Sequence, residues 1–315
     1  MEESLILSKF DRLVESGLVL YDDKQQIIEH IDDGLKVLPT SSTMFQPEHP
    51  LTTIPKFQFV LTSALTKKPT LTTSQAPPKP NADTQEPDRR DGSDISTTGF
   101  EIATTDTHIL IANKFSFSRP HLMLLTLDGH RRQYEPLNET DLDGAWRILN
   151  AAETDYVAFY NCGRDGGCSR LHKHLQVMPL PANSFAAFLD SPEGREPEAR
   201  VPFEWFYRRL EGGVDSGTLV GVYKDLLAEA TKVGGGRGEH AASAPSVAVC
   251  PHNMILTRRW MFVLPRRRGA VNKEAGVNSL GMLGIIAVAT TKEIDSWVRL
   301  GLTKSLAELG VPKGI

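Results

Sequence analysis

Short apolar runs of strand length recur along this chain with few helix-like segments between them. They fall at 57–61 (FQFVL), 108–112 (HILIA), 121–127 (HLMLLTL), 156–160 (YVAFY) and 174–178 (HLQVM). Strands that follow one another in this way predict an α+β fold, an antiparallel sheet with helices packed on it. Leu5, Leu7, Phe10, Leu13, Val14 and Leu18 form a helical stripe, so 3–17 reads as an amphipathic helix. A second helix is expected over 139–152, with Thr140 as N-cap and Leu142, Trp146 and Leu149 facing inward. Residues 202–233 read as helical, 247–250 and 260–264 as strands, and 279–300 as a final helix. The stretch 69–98 is rich in Pro, Thr, Ser and Asp and nearly free of large apolar residues. Such a segment buries too little to offset its ordering entropy, so it reads as a flexible surface insertion. GGGRG at 234–238 reads as a second flexible loop.

Hydrophobic residues make up 40% of the 315 and charged residues 23%, ordinary for a globular protein. A net charge of -4 argues against a general nucleic-acid binder but leaves room for a polyphosphate site, which needs only a few local cations. No apolar run reaches the ~18 residues of a transmembrane helix. The acidic start, MEESLILSKFDRL, suits neither a secretory signal nor a mitochondrial presequence. Cys162, Cys168 and Cys250 are too few for a disulfide framework, so the expected compartment is reducing: cytoplasm, or also nucleus.

The most informative stretch is 161–178, NCGRDGGCSRLHKHLQVM. His172, His174 and Gln176 alternate, so in an extended chain they share one face, with Lys173, Leu175 and Val177 on the other. The glycines just before them allow backbone N–H groups to approach phosphate oxygens, and an imidazole beside such a nest is placed to attack phosphorus. Plainer readings stand beside this one. The histidines also fit a surface pair, the glycines an ordinary turn, and the histidines with Cys162 and Cys168 a metal site, though the spacing is unusual for zinc.

The stretch YNCGRDGGCSRLHKHLQVMPL resembles the active-site segment of fungal-type diadenosine tetraphosphate phosphorylases, also called ATP adenylyltransferases, of the histidine-triad superfamily. Further stretches resemble the family in the same order: LTSALTKKP (61–69), ILIANKFSFSRPHLMLLT (109–126), HNMILTRRWMFVLPR (252–266) and VNSLGMLG (277–284). The resemblance implies a histidine-triad-like fold in which a catalytic region, 1–200, is extended by a C-terminal region, 201–315, that completes the substrate site. It implies His174 as the nucleophile that carries an adenylyl group. Gln176 would contact the α-phosphate, where hydrolytic relatives carry a third histidine. His172 would set the imidazole's orientation and tautomer. Asn161 and the loop Gly167, Cys168, Ser169 and Arg170 would hold phosphate oxygens. Lys68, with Lys67 as a weaker candidate, Asn113 and Lys114 would complete the nucleotide pocket, and Asn253, Thr257 and Arg258 would lie near the second nucleotide or the polyphosphate. Two residues depart from the family's pattern. Gly166 stands where the family has Ser, and Arg170 where it has Gln.

The implied reaction is phosphorolysis of diadenosine tetraphosphate to ATP and ADP, reversible as ATP adenylyltransferase. The implied partners are diadenosine tetraphosphate, ATP, ADP and inorganic phosphate, on a monomer. No organic cofactor is implied, but a divalent cation such as Mg2+ on the polyphosphate fits, because no carboxylate cluster accompanies these residues. A nucleotide-sugar transferase of the same superfamily and a catalytically silent nucleotide sensor are the rivals. Arg266, Arg267 and Arg268 read as a solvated loop, Arg131 and Arg132 as an exposed turn, and Trp146 and Trp260 as core.

Overall fold

A computed structural model of the protein describes residues 2–32, 56–68, 90–190, 198–235, 249–273 and 275–313. The strands are β1 (Leu20–Tyr21), β2 (Gln26–Ile31), β3 (Lys56–Leu61), β4 (Glu101–Thr104), β5 (His108–Ala112), β6 (Phe115–Ser116), β7 (Leu122–Thr126), β8 (Tyr156–Cys162), β9 (His174–Pro179), β10 (Phe206–Arg209), β11 (His252–Leu256), β12 (Trp260–Pro265) and β13 (Ile285–Val288). The helices are α1 (Glu3–Glu15), α2 (Glu139–Ala151), α3 (Ser216–Gly234), α4 (Ser279–Met282), α5 (Thr291–Leu300) and α6 (Leu302–Leu309).

Eight strands form one antiparallel sheet in the order β10-β12-β11-β8-β9-β7-β5-β4. Strands from both sides of residue 200 therefore share a single ladder, joined where β11 pairs with β8. Period-two alternation sorts the strand side chains onto two faces. Leu110, Leu122, Leu124, Leu175, Val177, Tyr160, Met254 and Val263 face the helices α1, α2 and α3. On the other face, Phe159, Met178, Ile255 and Phe262 pack beneath a layer made from the small sheet β13-β3-β2, α4 to α6 and Phe185 to Leu189. Farther along that face, Ile109, Ile111, Met123 and Leu125 pack with Ile95. β9 runs between these two apolar groups.

The α+β fold and its antiparallel sheet match the sequence reading, while several boundaries move. Asn138, not Thr140, caps α2, in a capping box with Asp141 that satisfies two terminal amides. The stretch 202–233 is not one helix. Phe206–Arg209 forms an edge strand, and α3 starts only after Asp215 caps it. The strand expected at 247–250 is β11, displaced to His252–Leu256, and residues 247–248 lie outside the described residues. The expected helix 279–300 is interrupted. Gly284 (φ +87°) ends α4, and the β-branched run Ile285–Val288 pairs in parallel with β3 before α5 begins. Of the expected insertion, 69–89 lies outside the described residues, as do 236–238 of the glycine-rich loop. Residues 90–98 are not a surface excursion, since Ile95 and Thr97 are buried against the sheet. Among the described residues no helix is long and apolar enough to cross a membrane.

Candidate active site

The site is built on the strip of sheet that β9 exposes between the two apolar groups. His174 lies across from Leu125, and Gln176 across from Met123 on one side and Phe159 on the other. His174 and Gln176 thus share a face, and Lys173, Leu175 and Val177 take the opposite one. On that opposite face Lys173 donates to Asp141 (2.6 Å) and to the Pro136 carbonyl (2.7 Å).

His174 is nearly buried, and its Nδ1 lies 2.7 Å from the His172 carbonyl oxygen. A carbonyl only accepts, so Nδ1 carries the hydrogen and Nε2 keeps its lone pair. Burial, opposed by that hydrogen bond and by Asp94, pushes the His174 pKa down to about 4, so the ring is neutral near pH 7. The contact from His172 to the His174 ring is made by its backbone carbonyl, and its own ring is bonded elsewhere. Its Nε2 donates to the Thr126 carbonyl (3.0 Å), and its Nδ1 lies 2.8 Å from the Ser93 hydroxyl oxygen. Gln133 fixes the start of β9, accepting from His174 N (2.8 Å) and donating to the carbonyls of His174 (2.9 Å) and Asn161 (3.2 Å).

Gln176 is oriented by a residue the sequence reading passed over. His121 Nε2 stands 2.9 Å from Gln176 Oε1 and 3.3 Å from Asn113 Nδ2. Burial lowers the His121 pKa to about 4, the Gln176 contact opposes that shift, and the Lys68 charge adds to it. A neutral His121 that donates to Oε1 turns the Gln176 amide NH2 toward the open side. Lys68 keeps exposed surface while protein crowds around it. Dehydration first, and the Arg170 charge second, lower its ammonium pKa. Lys68, Asn113, His121, Arg170, His174 and Gln176 are thereby gathered within one electrostatic neighbourhood.

The loop before β9 is shaped by glycine. A Cβ on Gly166 would lie 2.2 Å from the Cys162 carbonyl oxygen, and one on Gly167 (φ +87°) would lie 2.4 Å from that of Val277. A serine at 166 does not fit this turn, so the departure from the family's pattern is part of its geometry. The amides of Gly167 and Cys168 close the turn on Arg164 and Gly163 and are not available to a ligand. Those of Ser169 and Arg170 have no partner among the described residues, and both side chains are exposed.

Asn161 and Asn253 are buried struts. Asn253 Nδ2 donates to Gly166 O (2.6 Å) and to Asn161 Oδ1 (3.1 Å), and Asn161 Oδ1 also accepts from Ser279. Asn161 Nδ2 has no partner among the described residues and remains a donor on the catalytic face. Arg266, expected in a solvated loop, is buried instead. It donates to Asn253 Oδ1 (2.7 Å) and to the carbonyls of Val277, Arg268 and Leu309. Dehydration lowers its pKa to about 9. Thr257 and Arg258 are not brought to the cluster. Thr257 is buried in the β11–β12 turn, and Arg258 pairs with Asp155 (2.9 Å). Lys114 is exposed and lies over the Phe115 ring, 5.9 Å from its centroid.

Among the described residues no group of three or more His, Cys, Asp or Glu is arranged to hold a metal ion. What the arrangement offers is an unprotonated imidazole nitrogen, an amide beside it, two cations and free loop amides, a set suited to in-line attack on a phosphoryl group.

Comparisons with known proteins agree in both halves. Residues 56–189 match the family model for the Ap4A phosphorylase N-terminal domain, and 199–312 match that for the ATP adenylyltransferase C-terminal domain. Diadenosine 5',5'''-P1,P4-tetraphosphate phosphorylase 2 of Saccharomyces cerevisiae is 27% identical over 231 residues, 64% of this chain and 69% of that protein. Protein APA1 of the same yeast is 29% identical over 206 residues, 58% of this chain and 62% of that protein. The crystal structure of yeast Ap4A phosphorylase Apa2 in complex with Ap4A superposes with a TM-score of 0.70 at 21% identity, covering 100% of this chain and 99% of that one. With His174 and Gln176 side by side on β9, and with the two models together spanning most of its length, the chain belongs to the Ap4A phosphorylase (ATP adenylyltransferase) family of nucleotidyltransferases.

Proposed function

We propose that the protein cleaves diadenosine tetraphosphate by phosphorolysis, giving ATP and ADP, and that His174 carries the adenylyl group between the two steps. The carrying observation is the His174 ring, with its hydrogen held on Nδ1 by the His172 carbonyl and its Nε2 lone pair on the same face as Gln176. In the first step Nε2 bonds the α-phosphorus of one adenosine, the bond from that phosphorus to the bridging oxygen breaks, and ATP leaves. In the second step an oxygen of inorganic phosphate bonds the same phosphorus, the P–N bond breaks, and ADP leaves with His174 restored. Run in reverse, the same steps make the protein an ATP adenylyltransferase.

Gln176, oriented by His121, donates to an α-phosphate oxygen. Lys68, Arg170, Asn161 Nδ2 and the amides of Ser169 and Arg170 hold charge that builds on the transferring group. Asn113, beside His121, and Lys114 complete the nucleotide side of the pocket. Thr257 and Arg258 serve the β11–β12 turn rather than the reacting phosphate. A divalent cation such as Mg2+ enters on the substrate's polyphosphate. The family models favour this reading over a nucleotide-sugar substrate. The protein acts as a monomer, in the cytoplasm or also the nucleus.

The test is incubation with phosphate and either diadenosine tetraphosphate or a nucleotide sugar, with acid-quench trapping of labelled adenylate. Expected are ATP and ADP from the first substrate only, label on the peptide containing His174, and a loss on the order of 10⁴-fold in His174→Ala. Full activity in His174→Ala, or label elsewhere, refutes the assignment.

A further inference from the structure

Residues 93–95 cross the catalytic face beside the two histidines. Asp94 grips the backbone there with both oxygens, Oδ1 accepting from His172 N (2.9 Å) and Oδ2 from Leu171 N (2.9 Å). Its neighbours fix it in place. Ser93 bonds the His172 ring, and Ile95 is buried against Ile109, Ile111, Met123 and Leu125. Leu171 and His172 precede β9, so the sheet ladder does not hold their amides, yet the His172 carbonyl sets the tautomer of His174.

We propose that Asp94 is a positioning residue for adenylyl transfer: its grip on the amides of Leu171 and His172 aims the His172 carbonyl at His174 Nδ1, and its negative charge offsets the positive charge that the His174 ring acquires on bonding phosphorus. This inference rests on the function proposed above. The charge follows from the atom balance. Nε2 gives its lone pair to phosphorus while Nδ1 keeps its hydrogen, so the ring is cationic until phosphate displaces it. The charged groups facing His174 are Asp94, which favours a cationic ring, and Arg170, which opposes it, with the His172 imidazole beside them. Gly92 and Gly129 let the strap approach its neighbours closely: a Cβ on Gly129 would lie 2.2 Å from the Asp91 carbonyl oxygen.

The experiment compares full-length wild type, Asp94→Asn and Asp94→Glu. Single-turnover adenylyl-enzyme formation should fall by about 10- to 100-fold in Asp94→Asn, as a displaced nucleophile predicts, and recover most of the way in Asp94→Glu. AMP affinity should stay within about 3-fold, which separates positioning from binding. In ¹⁵N spectra of the histidines, His174 should hold one Nδ1–H tautomer in wild type and a mixture in Asp94→Asn. Wild-type rates with an unchanged tautomer in Asp94→Asn overturn the proposal. Should that variant fail to fold, Asp94→Ser, which keeps one acceptor without the charge, is judged by the same two readouts. A wild-type protein that forms no adenylyl-enzyme overturns the reaction, while the tautomer comparison still decides the role of Asp94.

Discussion

His174 and His252 open two strands of one sheet in nearly the same way. Each is buried, each donates from Nδ1 to the carbonyl two residues earlier at 2.7 Å, and in each burial pushes the pKa down to about 4. They differ at the second nitrogen. His252 Nε2 accepts from the Tyr223 hydroxyl at 2.9 Å on the helix face, so its bonding capacity is filled. His174 Nε2 lies on the opposite face, beside Gln176. A buried, neutral, tautomer-fixed histidine is therefore not by itself a nucleophile. The distinction is whether a lone pair is left over and whether it faces open space.

Several experiments would break or sharpen this contrast. The largest expected effect is in labelling. His174→Ala should lose the adenylyl-enzyme although His252 is intact, and peptide mapping that finds label on His252 would erase the distinction. Next in size is Lys173→Met, which leaves Asp141 buried beside His108 without its cation. A loss of about 3–5 kcal/mol is expected in denaturant titration. Tyr223→Phe removes the hydroxyl from His252 Nε2 and from the Leu137 amide. It should cost about 1–3 kcal/mol in the same titration and leave turnover in place.

The pH dependence has a defined sign. His121, His174 and His252 each have a pKa of about 4 when folded, against about 6.5 unfolded, so the unfolded chain binds more protons between those values. Their contribution to stability is complete above about pH 6.5 and is lost as pH falls toward 4, which denaturation midpoints across that window would register. The smallest expected effect is Arg258→Ala. Its partner Asp155 is exposed and also bonds Arg259, so stability should change by less than about 1 kcal/mol, with kcat almost unaltered.

Much of the site was legible because strand alternation is a strict rule. It assigned His174 and Gln176 to one face and Lys173 to the other with no knowledge of what lay on either. The strap at 90–98 was not legible, because Ile95 and Thr97 are two anchoring residues in a polar stretch, and composition averages them away. His121 has no alternating partner of its own, and its contact with Gln176 appears only when β7 pairs with β9. Arg266 reads as one of three surface arginines until folding brings four acceptor groups around it. The expected helix 279–300 failed at Gly284, where a left-handed backbone ends the turn and hands the β-branched run to β3. Both Asn138 and Thr140 have the chemistry of an N-cap, and only the reciprocal bond from Asp141 selects the first.

β8 is buried at all seven positions and is bonded to β9 on one side and β11 on the other. A chain cut after residue 200 would retain β8 but lose β11, leaving a bare row of amides and carbonyls along a flat apolar strand. Such an unprotected border recruits further copies of itself. The N-terminal portion made alone should therefore aggregate rather than persist as a small enzyme, and adding the C-terminal portion in trans should rescue it only if present while the sheet assembles.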